Sequence, residues 1–231
     1  YGIDSDGSKV DKLNVVPYNM EEKGIKRKQT HWKKDLNKLI EKFNPDLLAI
    51  SSTEDMWELG MQILSHLKDY KIKNNIPVIA GGVFPTFAPD LCIEHKLVDM
   101  VCVGEGENAL IDLCKKIEKN EDYSDVTNIW IKKNGEIKKN SITKPVDINK
   151  NPIIDTTIFE DKRLYRPMAG KVYKMFPVET IRGCPFTCRF CNSPDQARLY
   201  KGLGHNFYRK KRMDLVHKEL KHFKEVHKVE Y

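Results

Sequence analysis

Short apolar segments that alternate with helical patterns constrain the fold of this chain more than any other feature. Three segments of the kind that forms buried parallel strands are followed by stretches with helical spacing of apolar residues. The strand-like segments are residues 46–51, 77–80 and 98–103, and the helical stretches are residues 56–73, 89–95 and 108–119. Strands that alternate with helices predict an α/β domain with a doubly wound parallel sheet.

A hairpin signal follows this alternating region. Asn134 and Gly135 lie between two strand-like segments, residues 127–133 and 136–140, and Asn-Gly is the strongest two-residue turn signal. We expect the hairpin to close a first domain over residues 1–140. Residues 141–174 have little regular pattern and are predicted to form a linker, so that residues 175–231 begin a second domain.

The residues that follow each predicted strand are mostly small or polar. Residues 52–55 follow the first strand, residues 81–86 the second and residues 104–107 the third. In an open parallel sheet such loops all lie at the carboxyl edge, where these folds bind ligands. Glycine pairs in the second and third loops allow a flat or bulky ligand to approach the backbone closely. The three loops therefore predict one binding surface.

A dinucleotide site is the main alternative at this edge. Gly104, Gly106 and Ala109 formally match the fingerprint G-x-G-x-x-G/A. That fingerprint belongs to the first strand–helix unit, whereas here it follows the third strand. Glu105 and Glu107 would also place negative charge where a pyrophosphate binds. We therefore favour another ligand, and the glycines could also serve only to form tight turns.

Three of the six cysteines lie within eight residues, in the sequence RGCPFTCRFCNSP. Cys184, Cys188 and Cys191 form a C-x3-C-x2-C pattern, and clustered thiolates are soft ligands for zinc or an iron–sulfur cluster. Structural zinc takes four ligands, and the fourth would have to be sought at His205, an unusual arrangement. Three cysteines on a [4Fe-4S] cluster instead leave one iron free to accept a substrate or cosubstrate.

The series PDLLAIS, IAGGVFPT and VDMVCVGEGE resembles the cobalamin-binding domain that precedes the catalytic domain in cobalamin-dependent radical S-adenosylmethionine (SAM) enzymes. The resemblance covers roughly residues 10–120. A D-x-H-x-x-G string, which supplies a cobalt-binding histidine in many cobalamin domains, is absent here, so a protein ligand to cobalt stays an open question. The resemblance implies that seven residues lie near the cofactor: Ser52, Thr53, Gly81, Gly82, Thr86, Gly104 and Glu105.

The cysteine run is similar to the signature of the radical SAM superfamily. That resemblance implies that Cys184, Cys188 and Cys191 bind a [4Fe-4S] cluster, that SAM binds the fourth iron, and that Phe190 contacts SAM. It also makes residues 175–231 the start of a β/α barrel, with a first strand at 176–181 and an amphipathic helix at 212–227. A full barrel takes about 200–250 residues, so we expect the chain to be part of a longer enzyme, truncated at both ends and inactive alone.

The resemblance implies a methyltransferase that cleaves SAM reductively and methylates an unactivated substrate atom through methylcobalamin. The substrate would be a small molecule or peptide, and the electron donor a protein such as flavodoxin or ferredoxin. Other radical outcomes stay open, namely cyclisation, ring rearrangement or methylthiolation, as does a non-catalytic module that binds a corrinoid or a cluster. Methylthiolation is disfavoured because Cys92, Cys102 and Cys114 fall on separate predicted elements, a poor arrangement for a second cluster.

Composition indicates which partners and which cellular compartment suit the chain. The net charge of +7 comes from dispersed lysines without interleaved aromatic residues, a pattern that does not favour a nucleic-acid partner. No apolar run reaches the length of about 18 residues that spans a membrane. The scattered cysteines are typical of reduced core thiols. The sequence therefore predicts a cytoplasmic protein without a membrane partner.

Overall fold

The computed structural model describes Gly24 and residues 31–230. The described residues fall into two compact units. The first, here called the α/β unit, comprises residues 31–147 and 183–208, and the second unit comprises residues 148–182 and 209–230. The opening part of the predicted first domain, residues 1–23 and 25–30, lies outside the described residues.

The α/β unit is built on a five-stranded sheet in the order β1-β2-β3-β4-β5. The first three strands are parallel, and β4 and β5 are an antiparallel hairpin added at the β3 edge. Asn134 and Gly135 both have positive φ in the hairpin turn, as an Asn-Gly turn requires. The strands are β1 (Leu48–Ser51), β2 (Val78–Gly81), β3 (Met100–Cys102), β4 (Ile129–Lys133) and β5 (Glu136–Lys139). The predicted α/β class and hairpin are therefore confirmed.

Six helices accompany this sheet along residues 31–147. They are α1 (Trp32–Phe43), α2 (Glu54–His66), α3 (Lys68–Lys73), α4 (Val83–Phe87), α5 (Pro89–Glu94) and α6 (Glu107–Glu118). The single helix predicted at 56–73 is divided at Leu67, and α4 replaces part of a predicted loop. No helix among the described residues is long and apolar enough to cross a membrane.

Buried side chains cover both faces of the parallel strands. Val78 and Ala80 of β2 pack on one face with residues of α2 and α5, whereas Ile79 packs on the opposite face with Leu113 of α6. Successive residues of a strand point to opposite faces, so a near-continuous apolar segment is needed here. Each fully buried aliphatic side chain contributes about 1.5–3 kcal/mol. Burial on both faces thus explains why the strands show no polar alternation.

The segment that carries the clustered cysteines contains a helix that the sequence did not predict. This helix, α7, spans Ser193–Gly202 and belongs to the α/β unit. Pro194 in its first turn and Asp195 beside it are ordinary helix-start signals. Tyr200 of α7 is buried and its ring is stacked on that of Phe207. The segment 183–208 therefore has an apolar anchor of its own.

The second unit consists of two small sheets and one long helix. A 3-10 turn (Asp161–Leu164) precedes the hairpin β6 (Tyr165–Met168) and β7 (Lys171–Lys174), which lies within the predicted linker. β8 (Ile181–Arg182) pairs antiparallel with β9 (Arg209–Lys210), and α8 (Met213–His227) follows. The helix predicted at 212–227 is confirmed. The strand predicted at 176–181 is wrong in extent, because only its last residue lies in β8, and the barrel start stays a prediction.

The cysteines outside the clustered run differ in exposure. Cys92 and Cys102 are buried free thiols, whereas Cys114 is exposed on α6. Burial raises the pKa of Cys92 to about 11 and that of Cys102 to about 11, with Glu107 adding to the effect at Cys102. Both thiols are therefore protonated at neutral pH. The expectation of core thiols is confirmed for these two and is wrong for Cys114.

Candidate functional site

The loops after β1 and β2 meet at the carboxyl edge of the sheet. The Ser52 N–H donates to the Gly81 carbonyl oxygen (3.1 Å), and the Phe84 N–H donates to the Ser52 carbonyl oxygen (3.3 Å). The first bond continues the parallel pairing of β1 and β2 by one residue, and the second joins the first turn of α4 to the loop after β1. The first two predicted loops thus share one continuous backbone surface.

Thr86 joins the second loop to the third. Its hydroxyl donates to the Gly82 carbonyl oxygen (2.8 Å) and accepts from the Gly104 N–H (3.1 Å). The donor role is the usual back-bond of a helical threonine, and the acceptor role reaches the loop after β3. One side chain therefore fixes the relative position of two loops of the edge.

Gly82 is required at its position by conformation and by space. Its φ is +96°, a region that side chains rarely adopt. A Cβ there would lie 2.9 Å from both Ser51 Oγ and the Ser52 carbonyl oxygen. Any larger residue would displace the loop after β1, so this glycine permits the close approach of the two loops.

The Ser52 hydroxyl is buried at this edge without a hydrogen-bond partner. Of the buried side-chain oxygen and nitrogen atoms in the described residues, Ser52 Oγ alone has no hydrogen-bond partner. An unsatisfied buried hydroxyl costs about 1–3 kcal/mol, so such a group calls for an explanation. A bound ligand that supplies the missing bond is one such explanation.

Glu105 is held firmly in the loop after β3. Its carboxylate accepts from the Val146 N–H (2.6 Å), and its carbonyl oxygen accepts from the Asn128 side-chain amide (3.0 Å). Its own N–H donates to the Tyr200 hydroxyl (2.8 Å). These bonds fix both the backbone and the carboxylate, so Glu105 shapes the loop whatever else it contacts.

Thr53 differs from the other edge residues. It is exposed, and its hydroxyl donates to the Asp55 carboxylate at the start of α2. The structure therefore brings six predicted site residues into one hydrogen-bonded edge and leaves Thr53 on its rim. The six are Ser52, Gly81, Gly82, Thr86, Gly104 and Glu105.

The clustered cysteines lie just before α7 and differ in exposure. Cys184 is half-buried, Cys188 and Cys191 are exposed, and Phe190 is 94% exposed. The Cys191 N–H donates to the Cys188 carbonyl oxygen (3.3 Å), and the Ser193 N–H donates to Cys191 Sγ (3.4 Å). Across residues 31–230 no three His, Cys, Asp or Glu side chains are grouped so as to hold a metal ion. The cluster-binding role of these thiols stays a prediction.

Gly183 shapes the turn before the clustered cysteines, as its position in the sequence suggests. Its φ is +89°, and a Cβ would lie 2.6 Å from the Phe207 carbonyl oxygen. A glycine that directly precedes a clustered cysteine was the available signal, because such residues permit unusual backbone conformations. Gly183 therefore allows the cysteine segment to turn against Phe207.

The α/β unit combines three parallel strands with a glycine-containing carboxyl edge and an unpaired buried hydroxyl, and this edge is where open α/β sheets bind ligands. Residues 18–113 match the family described as the B12 binding domain. Of the matched residues, Gly24 and residues 31–113 are described by the structure. Over these residues the chain is therefore similar to a B12 binding domain.

Individual proteins are similar to a longer part of the chain. The chain is 30% identical over 165 residues to the uncharacterized methyltransferase PH0819 of Pyrococcus horikoshii, covering 69% of this chain and 34% of that protein. It is 27% identical over 154 residues to the cobalamin-dependent radical SAM methyltransferase TokK of Streptomyces tokunonensis, covering 64% and 22%. A solved structure of OxsB, a cobalamin-dependent SAM radical enzyme with aqua-cobalamin and SAM bound, matches with a TM-score of 0.61 at 24% identity, covering 82% and 24%.

These findings confirm the resemblance inferred from sequence: the chain is similar to a B12 binding domain and to TokK, a cobalamin-dependent radical SAM methyltransferase. The likeness to OxsB supports the fold alone, because the identity is below 25%. The chain spans about a third of the length of PH0819 and less of the other two proteins.

Proposed function

We propose that this chain is the cobalamin-binding region of a cobalamin-dependent radical SAM methyltransferase, together with the loop that binds its iron–sulfur cluster. The observation that carries the proposal is the buried, unpartnered Ser52 hydroxyl at an edge formed by Gly82 and Thr86. The C-x3-C-x2-C run on the same α/β unit supports the second part.

The donor set of the edge fits cobalamin. Cobalamin carries amide side chains and a nucleotide tail, which need hydrogen-bond partners and close contact with backbone. Ser52 offers a hydroxyl whose bonding capacity is unused in the described residues, and Gly81 leaves its Cβ position free of any contact under 3.6 Å. In the proposed complex Ser52 binds a polar group of cobalamin, and Gly81, Gly82 and Gly104 belong to the loops that lie beside the cofactor. The bound cofactor supplies the transferable methyl group.

The edge also orients the cofactor. Thr86 joins the loop after β3 to the loop after β2, so the distance between these two loops is fixed. Glu105 is held by three bonds from different segments, and its contribution to binding would be a fixed backbone. Thr53 completes the rim beside α2. Preorganised loops lose little conformational entropy when the cofactor binds.

The cysteine segment has the donor chemistry that an iron–sulfur cluster needs. Cys184, Cys188 and Cys191 are free thiols, and three of them leave one iron available to SAM. A bound cluster supplies the electron that cleaves SAM. The exposed Phe190 ring is proposed to contact SAM. A reduced flavodoxin or ferredoxin is the proposed electron donor, and the substrate is proposed to be a small molecule or peptide.

Metal analysis of the chain tests both parts. After anaerobic reconstitution with iron, sulfide and hydroxocobalamin, we expect about four irons and about one cobalt per chain. Cys188→Ser should lower iron and leave cobalt unchanged, whereas Gly82→Val should lower cobalt and leave iron unchanged. Cys114→Ser, which alters an exposed thiol on α6, is the matched control. Zinc in place of iron and cobalt would contradict the proposal.

A further inference from the structure

Tyr200 is the most deeply enclosed aromatic residue of the cysteine-bearing segment. It is 2% exposed, and its ring stacks on Phe207 with a centroid separation of 5.5 Å and an interplanar angle of 5°. Both rings belong to the α/β unit. The ring alone satisfies this packing, so the hydroxyl group calls for a separate explanation.

The hydroxyl of Tyr200 contacts the loop after β3. It accepts from the Glu105 N–H at 2.8 Å, across 95 residues of sequence. A Cβ on Gly104 would lie 2.7 Å from the same oxygen, and Gly104 has a φ of +85°. The loop therefore has a glycine where the hydroxyl approaches its backbone, and the N–H of the next residue donates to that hydroxyl.

The helix that carries Tyr200 begins beside the last clustered cysteine. The Ser193 N–H, in the first residue of α7, donates to Cys191 Sγ at 3.4 Å. Tyr200 lies about two helical turns further along α7. An α-helix is a stiff connection over this length, so α7 joins the cysteine segment to the loop after β3 with a defined spacing.

We propose that the Tyr200 hydroxyl is a positioning group that fixes the cysteine segment to the cobalamin-binding edge through α7. The inference rests on the proposed function, because it assigns the edge to cobalamin and the cysteines to a cluster. The hydroxyl holds the Gly104–Glu105 backbone in the conformation that receives cobalamin. At the other end of α7 the Ser193 N–H donates to Cys191 Sγ. The contact between Tyr200 and Glu105 therefore also sets the distance between the cysteine segment and the cobalamin-binding edge.

Tyr200→Phe removes the hydroxyl and keeps the ring stacked on Phe207, so the variant should fold. Without its acceptor, the Glu105 N–H should exchange with solvent deuterium about tenfold faster. The affinity for hydroxocobalamin should fall about tenfold as the loop loosens. The Val103 N–H, which donates to the Asn128 carbonyl oxygen (2.8 Å), should keep its exchange rate.

Tyr70→Phe is the matched control. The Tyr70 hydroxyl donates to the Ile40 carbonyl oxygen (3.5 Å) and to Asn44 Oδ1 (3.4 Å), which lie on and after α1. Its loss should change neither Glu105 exchange nor cobalamin affinity. If Tyr200→Phe leaves the affinity for hydroxocobalamin equal to that of Tyr70→Phe, the positioning role is overturned, whatever happens to the exchange rate.

A double-mutant cycle with Gly104 tests the same contact through thermal stability, independently of cobalamin binding. Gly104→Ala should be destabilising alone, since its Cβ meets the Tyr200 hydroxyl, and less so in combination with Tyr200→Phe, because the next ring atom lies 3.6 Å away. Additive effects of the two changes on the melting temperature would contradict the contact. Failure of the wild-type chain to bind hydroxocobalamin would instead overturn the proposed function and the inference resting on it.

Discussion

Replacing Thr86 with valine tests whether two loops of the edge must be tied together for cobalamin to bind. Valine has nearly the same shape as threonine but lacks the hydroxyl. In the variant the Gly82 carbonyl oxygen keeps a bond from the Thr86 N–H (3.2 Å), because that bond belongs to the backbone. The Gly104 N–H loses the hydroxyl that accepts its hydrogen bond (3.1 Å). The substitution therefore removes the hydrogen-bond acceptor of one backbone donor, the Gly104 N–H.

The magnitude follows from that single donor. Leaving a partly buried N–H unsatisfied costs about 1–3 kcal/mol, and Thr86 is half-buried, so we take about 1.5 kcal/mol. For a domain of 150–250 residues this corresponds to a fall in melting temperature of about 3–6 °C. We expect the affinity for hydroxocobalamin to weaken about tenfold as well, because the loop after β3 is released from its neighbour.

Thr86→Ser is the control, since serine keeps the hydroxyl and loses only a methyl group. Thermal unfolding by circular dichroism and an absorbance titration with hydroxocobalamin measure the two effects. The serine variant should bind nearly as well as the wild type. Equal affinities for Thr86→Val and Thr86→Ser would show that the hydroxyl bridge is irrelevant to binding and would refute the reasoning.

Two further predictions follow from glycine conformation and thiol burial. Gly82→Ala should lower the melting temperature more than Gly135→Ala, because both have positive φ but a Cβ at Gly135 meets nothing within 4 Å; equal losses would mean that backbone strain alone matters at Gly82. Burial raises the pKa of Cys92 and Cys102 from 9.0 to about 11, so above pH 9 the unfolded chain loses each thiol proton while the folded chain still keeps it. The free energy of unfolding is therefore unaffected below pH 9 and falls by about 2–3 kcal/mol per thiol as the pH rises to 11. Urea unfolding of Cys102→Ala should show a shallower alkaline loss, and an unchanged slope would contradict this.

The sequence predicted those parts of the fold that local patterns specify. The Asn134–Gly135 turn and the three parallel strands follow from turn chemistry and apolar runs over a few residues. The start of α7 has ordinary helix-start signals in Pro194 and Asp195, but these residues adjoin a cysteine run whose spacing is typical of a metal-binding loop. Local signals were sufficient for this turn and these strands, but they did not predict the division of helix 56–73 at Leu67 or the short extent of β8.

The contacts that organise the site could not be predicted in the same way. Tyr200 and Glu105 are 95 residues apart, and nothing in either local sequence indicates that the hydroxyl of one accepts from the N–H of the other. The resemblance places Thr86 near the cofactor, but its bridge to Gly104 depends on the register of β2 and β3. Such long-range pairs are set by tertiary packing rather than by local preference.

Hydrogen exchange of the wild-type chain with and without hydroxocobalamin tests the central claim most directly. If the carboxyl edge binds cobalamin, amides in residues 52–55, 81–86 and 104–107 should exchange more slowly in its presence, and those of the Asn134–Gly135 turn should not change. Protection confined to another surface, such as the cleft beside Trp32 and His66, would contradict the account. So would the absence of any protection at saturating hydroxocobalamin.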